Sequence, residues 1–245
     1  MAISFLTRLP VSLPISPEPV SVGYLARATA MFPLVGGGIG LGAALAFLGA
    51  HGLGLPPLAS AFIAIGFAAV VTGALHEDGL ADVADGVGGG RTRDDRLRIM
   101  RDSRIGSFGA LAIVFSVGLR VALVAGLPSS EAAAAALVAA GAVSRAPLAA
   151  ILRWVPAARS GGMAADAGRP GLAQVAISWI LAAAIAFALL EPMSAVVVLA
   201  AAAGAAAVMT WIGWRTLGGH TGDILGASQQ LAEMAALAAV VAVAA

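Results

Sequence analysis

Seven long runs of Ala, Leu, Val, Ile and Gly, separated by short polar breaks, make up most of the chain. They fall at about 29–50, 58–75, 105–127, 132–152, 172–190, 194–214 and 224–245. As helices, runs of this length cross a hydrocarbon layer of ~30 Å. The pattern predicts an all-α, polytopic transmembrane bundle of about seven spans, forming a single integral-membrane domain over 1–245. Residues 1–28 do not read as a signal peptide, because Pro10, Pro14, Pro17 and Pro19 interrupt any apolar core. That segment is expected to lie along the membrane surface. Gln229, Gln230 and Glu233 weaken the last run near its start.

Composition sharpens the class. The chain is 60% hydrophobic with a mean hydropathy of +0.96, far above soluble domains. It has no cysteine, which excludes disulfides, thiolate metal sites and cysteine nucleophiles. It has no lysine either, which removes Schiff-base chemistry. The net charge of +1 says nothing about nucleic acid, but no basic stripe is interleaved with aromatics, so no nucleic-acid partner is expected.

Arginine placement orients the bundle. With a cytoplasmic N-terminus, seven spans put Arg8, Arg27, the six from Arg91 to Arg104, Arg153, Arg159, Arg169 and Arg215 on the inner side. The expected outer loops, 51–57, 128–131 and 191–193, contain none, which is the positive-inside asymmetry. The tryptophans, mostly near span ends, read as interfacial anchors. Gly36 and Gly40, with the offset pair Gly38 and Gly42, suit tight helix contact or a flexible channel wall. Arg120 and Arg145 fall inside spans, where an ionisable group needs a partner or a polar cavity. Arg145 is a candidate substrate contact; Arg120 suits an ion pair that fixes packing.

The charge is concentrated in one stretch, HEDGLADVADGVGGGRTRDDRLRIMRDSRIGSFG (His76 to Gly109). On a helix, Asp78, Asp82 and Asp85 fall at about 0°, 40° and −20°, on one narrow face. Unpaired carboxylates there repel one another, and a hard divalent cation such as Mg²⁺ or Mn²⁺ would relieve the repulsion. The glycines that follow permit close approach to a ligand, and the arginines can fork onto phosphate. An acidic face, a glycine turn and an arginine cluster suit a metal-bound phosphate ester or diphosphate, read here as a cytoplasmic catalytic stretch over 76–104. The competing reading is a solvated loop whose charges pair among themselves. Glu77 points about 100° away from the aspartate face and has no assigned role.

That stretch resembles the signature of the cobalamin synthase family, the adenosylcobinamide-GDP ribazoletransferases. Phe5–Val11 (FLTRLPV), Phe32–Gly40 (FPLVGGGIG), Ala158–Gly162 (ARSGG) and Thr221–Ala227 (TGDILGA) resemble further family elements in the same order. The resemblance covers nearly the whole chain. It implies a multi-pass enzyme of the bacterial inner membrane, active site toward the cytoplasm, late in adenosylcobalamin synthesis. It would join adenosylcobinamide-GDP to α-ribazole or its 5′-phosphate with release of GMP, using Mg²⁺, with Mn²⁺ as a substitute. Asp78, Asp82 and Asp85 would hold metal, and Asp82 or Asp223 could accept the proton of the acceptor's 5′-hydroxyl. His76 could orient a ligand, act as an acid, or merely bond the helix end. Arg91, Arg101, Ser103, Arg104, Arg145, Arg159 and Thr221 are the expected substrate contacts. Membrane lipid is the other expected partner, and a homo-oligomer stays open.

Two alternatives remain. Asp82-Val-Ala-Asp85-Gly86 resembles the start of the CDP-alcohol phosphotransferase signature, but the remaining aspartates of that pattern are absent. A cation-coupled transporter would need ionisable groups at mid-membrane and paired broken helices, for which the sequence offers little beyond Arg120.

Overall fold

The computed structural model describes residues 2–10, 24–160 and 167–244. The proline-rich part of the expected surface segment, Val11, Gly161 and Gly162 lie outside them. Two short helices, α1 (Ala2–Leu6) and α2 (Tyr24–Ala28), precede α3 (Phe32–Gly52) and α4 (Pro57–Thr72). Then come α5 (Leu75–Gly89), α6 (Arg93–Ile99), α7 (Ser107–Ala125), α8 (Ser130–Val143) and α9 (Ala146–Trp154). The last three are α10 (Leu172–Leu189), α11 (Pro192–Leu217) and α12 (Gly222–Ala244).

The expected helical membrane bundle is present. Six segments are long and apolar enough to cross a membrane: α3 with the turn before it, α7, the α8–α9 pair, α10, α11 and α12. The second expected span behaves differently. α4 runs only to Thr72, and α5 leaves it at 89°. Gly73 ends α4 in the left-handed region, and Ala74 follows at φ 55, an uncommon conformation for a residue with a Cβ. We take α4 as the crossing and α5, with Glu77, Asp78, Asp82 and Asp85 in 15 residues, as lying outside the spans at the arginine-rich end.

Small residues set the closest contacts. A methyl at Gly36 would collide with the carbonyl of Gly141, and one at Gly40 with that of Leu137, so α3 and α8 touch backbone to backbone. Gly38, by contrast, faces open space, and Gly42 faces the ring of Phe67. The fourth expected span is interrupted at Ser144–Arg145. Pro147 lacks an amide to continue the ladder, and the Arg145 side chain bonds the Gly141 carbonyl at 2.7 Å. Trp154, Trp179, Trp211 and Trp214 all line one lateral groove between α9, α10 and α11.

Candidate active site

Two helix N-termini and a loop meet around α5. Gly79 of α5 crosses α12 so closely that a methyl on it would come within 2.9 Å of the Asp223 carbonyl oxygen. Gly226 has the matching relation to His76, at 3.3 Å from its Cα. This crossing brings the start of α12 beside the aspartate face of α5. At the far end of α5, the Asp85 carboxylate accepts hydrogen bonds from the Gly106 and Gly109 amides, at 2.7 and 2.8 Å. Asp85 thereby serves the open N-terminus of α7, where unpaired amides and the helix dipole favour an anion.

The loop after α9 is attached from the side. The Ala158 amide donates to the His220 carbonyl and the His220 amide to the Pro156 carbonyl, both at 2.8 Å. These two bonds tie 156–158 to the segment before α12 and carry Arg159 to within 3.7 Å of Asp223. Thr221 caps α12, accepting from the Ile224 amide at 3.2 Å, and its hydroxyl donates to Asp223 at 3.1 Å. Arg159 of the ARSGG element is therefore brought beside Thr221 and Asp223 of TGDILGA.

The electrostatics are strongly one-sided. Partial burial, then the like charges of Asp223, Asp78 and Asp85, push Asp82 up to about 7, and Arg159 only partly offsets them. Asp78 and Asp223 line an apolar pocket of about 150 Å³ walled by Phe5, Leu6, Phe32 and Leu148. Arg159, on the other side of its ion pair with Asp223, lines an open groove of about 590 Å³ with Arg93, Arg98 and Arg101. One buried Arg159 nitrogen has no hydrogen-bond partner among the described residues. The acidic face, the apolar pocket and the basic groove thus adjoin at the Arg159–Asp223 pair.

The expected site residues divide as follows. Asp78, Asp82, Asp223, Thr221 and Arg159 are brought together, and Arg101 joins them through the groove. His76 is buried at 3% exposure and lines the apolar pocket beside Asp78. Asp85 is engaged by two backbone amides. Arg91 and Ser103 are exposed. Arg104 is exposed and paired with Asp102 at 2.7 Å, which holds that carboxyl at about 2. Arg145 is in a buried cluster with Glu233, at 3.8 Å, and does not line the groove. Sequence reasoning passed over Arg93 and Arg98. Both belong to the arginine run, but only the fold shows which members face Arg159. Arg93 also donates to the Leu217 carbonyl at 2.8 Å, and Arg96 to that of Thr216 at 3.2 Å, so these two hold α6 on the C-terminus of α11.

Among the described residues no three His, Asp or Glu side chains converge tightly enough to hold an ion alone. The donor chemistry nevertheless fits a hard cation. Mg²⁺ is usually held by one or two carboxylates, with water and substrate phosphate supplying the other oxygens, and Asp78, Asp82 and Asp223 offer that set.

Comparison with known proteins decides the family. The family model described as cobalamin-5-phosphate synthase matches residues 1–241. The chain belongs to this family. An adenosylcobinamide-GDP ribazoletransferase of Azorhizobium caulinodans is 46% identical over 242 residues, covering 96% of this chain and 92% of that protein. The protein of the same name from Rhizobium meliloti is 48% identical, covering 97% and 93%, and that from Bradyrhizobium diazoefficiens 43%, covering 97% and 90%. No solved structure matches. Membership makes the chain a multi-pass transferase of cobalamin nucleotide-loop assembly, and displaces the alcohol-phosphotransferase and transporter readings.

Proposed function

We propose that the chain transfers the phosphocobinamide part of adenosylcobinamide-GDP to α-ribazole or α-ribazole 5′-phosphate and releases GMP. The site faces the cytoplasm at the bacterial inner membrane. The observation that carries this reading is the junction at Arg159–Asp223, where a crowded carboxylate face meets an arginine groove and an apolar pocket. A nucleotide diphosphate with a large apolar substituent needs all three surfaces.

The family's name retains a 5-phosphate in the product, so the 5′-oxygen of a phosphorylated acceptor is already occupied. The attacking group is therefore another ribose hydroxyl, in place of the 5′-hydroxyl expected from the sequence. Its oxygen forms a bond to the phosphorus next to cobinamide, the bond from that phosphorus to the bridging oxygen breaks, and GMP departs. Asp82 or Asp223 takes the hydroxyl proton; a carboxylate raised toward neutrality is a better base than an ordinary one. Arg159, Arg98 and Arg101 bind phosphate oxygens bidentately and take up charge as the leaving group separates. Mg²⁺ (or Mn²⁺), held by Asp78 and whichever of Asp82 and Asp223 is not the base, would supply charge neutralisation during phosphoryl transfer.

The test is GMP release by purified protein given adenosylcobinamide-GDP, α-ribazole 5′-phosphate and Mg²⁺. Asp82→Ala should lower turnover at least ~100-fold, the scale of a lost general base, and EDTA should abolish it. Turnover that persists in both arms would remove the carboxylate–metal core from the proposal.

A further inference from the structure

The acidic helix is also held from a second side. Glu77, one residue before Asp78, accepts from Arg120 at 3.0 Å and from Gln230 at 3.3 Å. Arg120 is 1% exposed and reaches Glu233 at 3.4 Å, and Glu233 also faces Arg145 at 3.8 Å. Gln229 bridges to Ser144 at 3.0 Å, and Ser116 donates to Gln230 at 2.9 Å. Two cations and two anions are thus enclosed between α5, α7, the α8–α9 break and α12.

Such a cluster is a poor way to gain stability, because apolar residues of equal volume hold helices together at least as well. What a directional network supplies is register. Three of its charges stand on or between membrane-spanning helices, and Glu77 alone stands on α5. That helix is entered through the Gly73–Ala74 link and lies at 89° to α4, so the chain leading into it does not set its rotation. Rotation matters there, since one residue of slip turns the aspartate face by ~100°.

We propose that Arg120 and Glu77 are positioning residues: through their ion pair the membrane bundle fixes the azimuth of α5, so that Asp78 and Asp82 face Asp223. The inference rests on the carboxylate face being the reactive one. Neither residue touches the substrate groove or the apolar pocket.

Glu77→Gln and Glu233→Gln remove the same charge from the same cluster, but only the first loosens α5. In full-length protein in nanodiscs, Glu77→Gln should speed deuterium exchange over 76–89, and Glu233→Gln should not. With Mn²⁺ alone, read by EPR, Glu77→Gln should bind about 10- to 100-fold more weakly, the usual effect of removing a group that orients ligands. Glu233→Gln should stay near wild type. Glu77→Asp, which keeps the charge and shortens the reach, should fall between them and covers poor folding of the amide variant. In turnover, kcat should drop while KM for the acceptor holds. Wild-type exchange and Mn²⁺ affinity in Glu77→Gln, or equal changes in both glutamine variants, would overturn the assignment. Wild-type protein that binds no Mn²⁺ would refute the metal reading, while the exchange comparison would still decide the tether.

Discussion

Asp82 is the residue on which the site's charges bear most heavily. Held near 7 against an ordinary 3.8, it keeps in the folded protein a proton that the unfolded chain loses. Between those two values the folded state binds more protons, so this group's contribution to stability falls as pH rises from about 4 to 7 and is flat above. Metal-free protein in EDTA should therefore resist denaturant better at pH 5 than at pH 8 as far as Asp82 is concerned. Asp82→Asn should remove that part of the slope. A cation competes with the same proton, so the Mg²⁺ concentration for half-maximal activity should fall between pH 6 and pH 8. Parallel pH slopes in wild type and Asp82→Asn would show that the crowding is relieved some other way.

At the scale of elements, the site depends on how closely α5 and α12 cross. Gly79→Ala places a methyl 2.9 Å from a backbone oxygen, which cannot swing aside as a side chain can. Overpacking of this kind costs about 1–3 kcal/mol, and here it also pushes Asp78 and Asp82 from Asp223. Gly38→Ala, whose new methyl meets nothing within 4 Å, is the control and should leave melting and turnover unchanged. Equal melting temperatures for the two variants would count against the crossing. The contrast shows what the sequence could carry. Gly36 and Gly40 read as a contact stripe because their spacing is helical, and the structure uses them so. Gly79 and Gly226 are 147 positions apart, and no local pattern joins them. Likewise Asp78, Asp82 and Asp85 share a face by spacing alone, but the turn of Asp85 toward the α7 amides depends on where another helix begins. Glu77 had no assigned role for the same reason: its partners, Arg120 and Gln230, come from two distant helices.

At the scale of the molecule, the spans were legible because lipid selects for length and apolarity, properties of contiguous residues. The 89° break after Thr72 was not, because it is made by two left-handed residues, and one of them is an alanine. The arrangement makes a claim about orientation that the composition renders easy to test. The chain contains no cysteine, so any single introduced thiol is the only one present. Leu53, 84% exposed in the link between α3 and α4, lies at the end away from the carboxylates. Ser103 is exposed between α6 and α7, at the carboxylate end. With the arginine-rich end inside, Leu53→Cys should react with a membrane-impermeant maleimide in intact cells, and Ser103→Cys only after permeabilisation. The proposed Mg²⁺ and nucleotide diphosphate would come from the cytoplasm, so the reverse pattern would remove the site from its proposed substrates. Reaction of both thiols in intact cells would mean that α4 and α5 together do not hold the parity the seven crossings require.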